Sequence, residues 1–190
     1  MQVKDSNRNK RSIGWLALAC LVLQLAVAPN FGIGNGRINF ALIFCAVVAL
    51  TIGGRTGVLC GFLAGFVFDL STTGPVGLMA LLLTVSSFQM GMECRNRLSE
   101  DLGPSVILFA IHALVVSLVY HLAMLVVGQA SSAFDVIVLR MLPTFFLTVL
   151  AFAPFAYIYS RGGGNGLDLG RKSARGGHAK HGSKYSLGKL

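Results

Sequence analysis

Charge is what this chain has least of. Only 12% of its 190 residues are Asp, Glu, Lys or Arg, about half the share of an ordinary soluble domain. With a mean hydropathy of +0.71 and 54% hydrophobic residues, that scarcity argues against a water-soluble fold. Acids are rarer still, 7 against 16 basic residues, and the excess is placed unevenly. Lys4, Arg8, Lys10 and Arg11 crowd the start and seven more Lys or Arg lie in 161–190, so most of the net +9 charge sits in the tails. Basic residues that flank apolar runs, without interleaved aromatics, exclude a nucleic-acid surface and favour contact with anionic membrane lipid.

Cysteine is also sparse. Cys20, Cys45, Cys60 and Cys94 have no C-x-x-C spacing, and three lie deep in apolar runs, where they read as small buried apolar residues. His112 and His121 stand nine residues apart, half a turn out of phase on a helix, so no metal site is expected. The chain has no Ser/His/Asp constellation, no paired catalytic carboxylates, no phosphate-binding glycine loop and no dinucleotide fingerprint. These absences argue against an enzyme and imply no cofactor.

What is present is six apolar runs, at about 13–29, 38–53, 56–70, 76–92, 105–127 and 136–159. The first has the basic, apolar and small-residue order of a signal peptide, but Pro29 after Ala28 would hinder cleavage, so a retained first helix is expected. Gly53-Gly54-Arg55 divides the second run from the third at a helical hairpin. Counting six spans puts the N-terminal tail, Arg55, Arg95, Arg97 and the C-terminal tail on one side of the bilayer. Only Arg37 and Arg140 fall on the other, so both ends are expected in the cytoplasm. The organisation expected is a basic cytoplasmic segment at 1–12, an all-α six-helix transmembrane bundle at 13–160, and a disordered, glycine-rich basic cytoplasmic tail at 161–190. Glu93 and Arg97, four apart, are placed to pair on a helix end.

One row of residues carries more information. Gly53, Gly57, Gly61 and Gly65 recur every fourth position and Asp69 continues the row, so the third helix has one face without side chains, suited to close helix packing in lipid. Generic packing explains the glycines alone. An ionised carboxylate inside a span costs roughly 2.5–3.5 kcal/mol on insertion scales, so Asp69 needs a partner. In a hairpin centred near residue 54 it lies level with Asn39 and close to Arg37, which makes Arg37 a plausible counter-ion and Arg140 a second. The alternative is an aspartate at a helix end, reaching the headgroups beside the turn at 71–75; otherwise Asp69 is expected to fix the outer end of the third helix through Arg37 or the turn at 71–77, and so to shape a partner-binding surface. His112 and His121 read as hydrogen-bonded interhelical residues. Pro143 and Pro154 should kink the last helix, with Thr144 or Thr148 serving freed carbonyls.

The segment Gly57-x-x-x-Gly61-x-x-x-Gly65-Phe66-Val67-Phe68-Asp69-Leu70, followed by Gly74-Pro75-Val76-Gly77-Leu78-Met79-Ala80-Leu81, resembles the MreD family of bacterial rod shape-determining membrane proteins. That family's motif is a glycine-spaced helix ending in Asp-Leu, a turn with Gly, and a downstream Ala-Leu. Arg37-Ile38-Asn39 is similar to the family's Arg-Pro-Asn-type segment, with proline missing here. The resemblance covers residues 10–160 and leaves out the basic tail. It implies a six-helix bundle similar to the substrate-binding S-components of energy-coupling-factor vitamin transporters, in the bacterial cytoplasmic membrane. It implies a non-catalytic role in cell elongation beside an MreC-like membrane protein, an MreB-like filament, a RodA-like glycosyltransferase and a class B transpeptidase, directing lateral peptidoglycan synthesis. The alternative is a vitamin-binding S-component itself. Against it, Ala17, Ala19, Ala26 and Ala28 give no Ala-x-x-x-Ala docking pair on the first helix, and a pore would need a wet polar lining.

Overall fold

The computed structural model describes the backbone of residues 3–96, 102–129 and 132–161, and the side chains of 13–93, 103–129 and 132–158. Within those limits the chain forms six helices: α1 (Val3–Val22), α2 (Phe40–Thr51), α3 (Gly54–Ser71), α4 (Leu78–Asn96), α5 (Leu102–Val126) and α6 (Leu142–Arg161). A π-helical turn, Leu23–Val27, extends α1, and a π-helical segment, Asp135–Met141, leads into α6. The basic N-terminal segment is helical from Val3 and continuous with the apolar part of α1. Arg97 and the glycine-rich tail from 162 onward lie outside the described residues.

Helix α2 is the axis of the bundle. Every residue from Phe40 to Ala49 is buried, and α2 packs against α1, α3, α4, α5 and α6. A helix that is apolar all round can be stable only inside other protein or in lipid. Twelve residues reach about 18 Å, short of a hydrocarbon core of about 30 Å. Enclosure by its neighbours removes the need to match that thickness. Outward from α2 the apolar residues are exposed. Leu59, Phe62, Leu63 and Phe66 on α3, Leu81, Val85 and Phe88 on α4, Ile107, Ile111 and Val115 on α5, and Phe146 and Leu150 on α6 all face outward. So much apolar surface is untenable in water. It fits a helical membrane protein, and Gly103–Val126 and Asp135–Ile158 are each long and apolar enough to cross a bilayer.

Two features differ from the all-α expectation, both at one end of the bundle. Gly32–Ile33 and Gly36–Arg37 pair as a small antiparallel hairpin, β1 and β2, which the short glycine-rich run 32–36 left unmarked. Pro143 lies where the π-helical segment passes into α6, and only Pro154 lies inside the helix. Having no N–H, Pro143 leaves the carbonyl four residues back without its helical donor. That carbonyl, on Leu139, accepts from Asn35 N–H at 3.0 Å, so the hairpin docks on the gap the proline creates. Thr144 and Thr148 do not serve freed carbonyls of α6. Their hydroxyls accept from Arg37 N–H at 3.2 Å and Asn39 N–H at 3.1 Å.

Candidate functional site

The buried residues of α3 are Gly57, Gly61, Gly65 and Asp69, the row picked out by four-residue spacing. Each glycine meets a different neighbour. A Cβ on Gly57 would lie 3.3 Å from the Ala49 Cα of α2; one on Gly61 would strike the Ser87 hydroxyl and approach the Leu83 carbonyl to 2.8 Å; one on Gly65 would come within 2.5 Å of the Ala80 Cα and 2.6 Å of the Met79 carbonyl. The tightest contacts are with the α4 backbone, which cannot step aside. Gly53 departs from the expected stripe. It precedes α3 at φ +60°, a conformation that disfavours a side chain, so it turns the chain between α2 and α3 instead of extending the helix face.

Close approach at Gly65 sets up Asp69 one turn later. Helix α4 begins after Gly77 (φ +98°), which has no side chain to cap the first amides. Asp69 supplies the missing cap from the preceding helix. Its Oδ2 accepts from the N–H groups of Gly77 at 2.9 Å and Ala80 at 3.1 Å, and its Oδ1 accepts from Met79 N–H at 3.1 Å. Leu78 N–H donates to the Pro75 carbonyl at 3.3 Å, so the first amides of α4 are all satisfied. Asp69 is 1% exposed. Hydrogen bonds to a charged group contribute about 1.5–3 kcal/mol each, and three of them outweigh the roughly 2.5–3.5 kcal/mol insertion cost. The positive end of the α4 dipole acts in the same direction.

The proposed counter-ions are therefore corrected. Asp69 is held by backbone amides, and neither Arg37 nor Arg140 pairs with it. Gly74 and Pro75 shape the intervening turn, where a Cβ on Gly74 would lie 2.7 Å from the Tyr120 hydroxyl. Asn39, which is buried, caps α2 by accepting from Leu42 N–H at 3.0 Å, and its Nδ2 lies 3.8 Å from the Met79 sulfur. Through Met79 the ends of α2 and α4 thus meet beside Asp69.

Arg37 and Arg140 belong to a second feature, a cavity of about 510 Å³ at the same end of the bundle. It lies between the hairpin, α5 and α6. Both arginines line it, with Gln24, Asn39, Thr144, Thr148, Ser117, Tyr120 and His121, and among the described residues no carboxylate does. Gln24 and Tyr120 carried no mark in the sequence reading, although an isolated Gln in an apolar run was a usable signal. So was the four-residue spacing of Arg140, Thr144 and Thr148. Gln24 Oε1 accepts from Phe40 N–H at 2.8 Å, tying α1 to the start of α2. The histidines are not interhelical: His112 and His121 each turn Nδ1 to the carbonyl one turn back on α5, at 2.8 and 2.7 Å. Among the described residues no group of His, Cys, Asp and Glu is placed to hold a metal ion.

The arrangement offers shape and fixed charge, with a rigid hairpin of helices beside a basic cavity. No curated protein and no solved structure matches the chain. A family model described as rod shape-determining protein MreD matches residues 9–160, taking in the glycine row, the Asp69 cap and both arginines of the cavity. The chain belongs to the MreD family, a family of shape-determining structural membrane proteins, and its role is in the determination of rod shape.

Proposed function

We propose that the protein is a non-catalytic scaffold of the elongation complex, crossing the cytoplasmic membrane six times with both termini in the cytoplasm. Six spans in succession would alternate in direction, and the basic residues sort as that order requires. Arg55 lies at the start of α3, whereas Arg37 and Arg140 line the cavity together with Ser71 at the other end of that helix. That sorting supports an outward-facing cavity. The likeness to transporter S-components is carried by the family resemblance and by this six-helix order.

The observation that carries the scaffold reading is the clamped α3–α4 pair. Backbone contact at Gly65 and the three-amide cap by Asp69 give the bundle one inflexible edge, whose outer side presents Phe62, Phe66, Val85 and Phe88. An inflexible apolar edge suits a membrane helix of an MreC-like partner, and through it the MreB-like filament, the RodA-like glycosyltransferase and the class B transpeptidase that build lateral peptidoglycan. Depletion in the native bacterium should round the cells. Asp69→Asn and Gly61→Leu should each lose co-purification with the MreC-like partner, and wild-type behaviour of both would remove the scaffold reading. Cysteine labelling that placed the two termini on opposite sides would remove the topology.

A further inference from the structure

The basic cavity does not end at the hairpin. Gln24, Leu25, Phe68 and Ser71, which close its α1–α3 side, also line a second space of about 310 Å³. This second space is a groove running between α1 and α3 over α2, walled by Ala17, Cys20, Leu21, Leu63, Ala64 and Val67. Apart from the polar ends of Gln24 and Ser71 its lining is apolar. The two spaces together are polar and cationic at one end, apolar and elongated along the other. Each has the volume of pockets that enclose organic ligands, and the polar part is far larger than the roughly 30 Å³ share of a water molecule.

Two further observations narrow the occupant. Among the described residues Arg37 and Arg140 form no ion pair and no carboxylate lines their cavity, so the uncomplemented charge is positive and calls for an anion. The groove is apolar and continuous with the cationic cavity, a combination of surfaces that a phospholipid complements in one molecule. An acyl chain fits such a channel. Leu21, Leu25, Leu63 and Val67, all exposed at its margins, lie where lipid is the surrounding solvent.

We propose that this composite site binds one phospholipid with a net anionic head group. Its head group sits between Arg37 and Arg140 among the hydroxyls of Thr144 and Thr72, and one of its chains lies along the α1–α3 groove. This goes beyond the scaffold role and does not depend on which proteins the bundle assembles with.

Native mass spectrometry on the delipidated full-length chain in detergent tests it, with dioleoyl phosphatidylglycerol, dioleoyl phosphatidylcholine and soluble glycerol phosphate as probes. One phosphatidylglycerol should be retained about tenfold more tightly than phosphatidylcholine, as expected for two arginines facing an anionic head. Arg37→Gln with Arg140→Gln should abolish the preference. The corresponding lysine pair should restore much of it, and Arg55→Gln at the opposite end of α3 should keep it. Filling the groove with Ala64→Phe should weaken lipid binding, and circular dichroism identifies any variant that misfolds. A photo-reactive residue in place of Ala64 should capture lipid in native membranes and gives a reading without any charge change. Equal retention of the two lipids, or an unchanged preference in the glutamine pair, overturns the proposal. So does glycerol phosphate binding as tightly as lipid with Ala64→Phe silent, which would mean a free-anion site, and so does capture of polypeptide at position 64.

Discussion

Helices α3 and α4 meet with almost nothing between them, whereas α1 stands away from α3 and leaves a groove. In the first region two glycines, Gly61 and Gly65, remove side chains so that α3 closes on α4, and an aspartate binds the amides at the start of α4. In the second, Ala17 and Ala64 are small but no backbone closes on them, and an arginine-lined cavity adjoins. Small residues therefore have two outcomes in lipid. Where their row ends on a group that caps the neighbouring helix, the interface is locked. Where it does not, room is left for something else.

The sharpest way to break this contrast is Gly65→Leu. Its side chain would have to occupy the space of the α4 backbone, so folded protein should not accumulate in membranes. Normal accumulation would mean that α3 and α4 can separate without cost. Asp69→Asn comes next. It turns an amide N–H₂ toward three N–H donors and leaves at least one without an acceptor, at about 1–3 kcal/mol for each unsatisfied group. Thermal unfolding in detergent should show a clear fall in stability, with Asp69→Glu failing to rescue because its longer side chain overshoots the turn. Gly57→Ala should be milder, near 1 kcal/mol, since its neighbour on α2 lies at 3.3 Å and a small shift accommodates a methyl. At the open region, Arg140→Gln should change stability by less than about 0.5 kcal/mol while impairing cell shape in a complementation assay. An effect on folding as large as that of Asp69→Asn would erase the distinction between the regions.

Much of the clamp is legible in the sequence. The spacing of Gly57, Gly61, Gly65 and Asp69 specified which face of α3 is buried, because helical periodicity alone places residues four apart together. The apolar runs lie within a few residues of the helix ends from Phe40 to Val126, whereas the last run, from 136, begins in the π-helical segment ahead of α6. What Asp69 touches was not legible from that spacing. A charge invites a search for an opposite charge, but its partners are backbone amides, which every residue but proline has and no sequence marks. Gly77, marked in the sequence as part of the turn at 71–77, carried a further clue, since a helix that starts behind a glycine needs its cap from elsewhere. The hairpin at 32–37 and its seat on Leu139 escaped for a similar reason, depending as they do on a carbonyl freed by Pro143. The cavity required knowing that residues as distant as Gln24, Tyr120 and Arg140 converge, and no local pattern carries that.

Amide hydrogen exchange on the full-length chain in micelles, read at Gly77, Met79 and Ala80, tests the clamp most directly. In the wild type these three amides should exchange as slowly as those of the α2 interior, and in Asp69→Asn all three should exchange far faster while α5 and α6 stay unchanged. Fast exchange in the wild type, or equal protection in the variant, would show that the carboxylate does not hold the start of α4, contradicting the account.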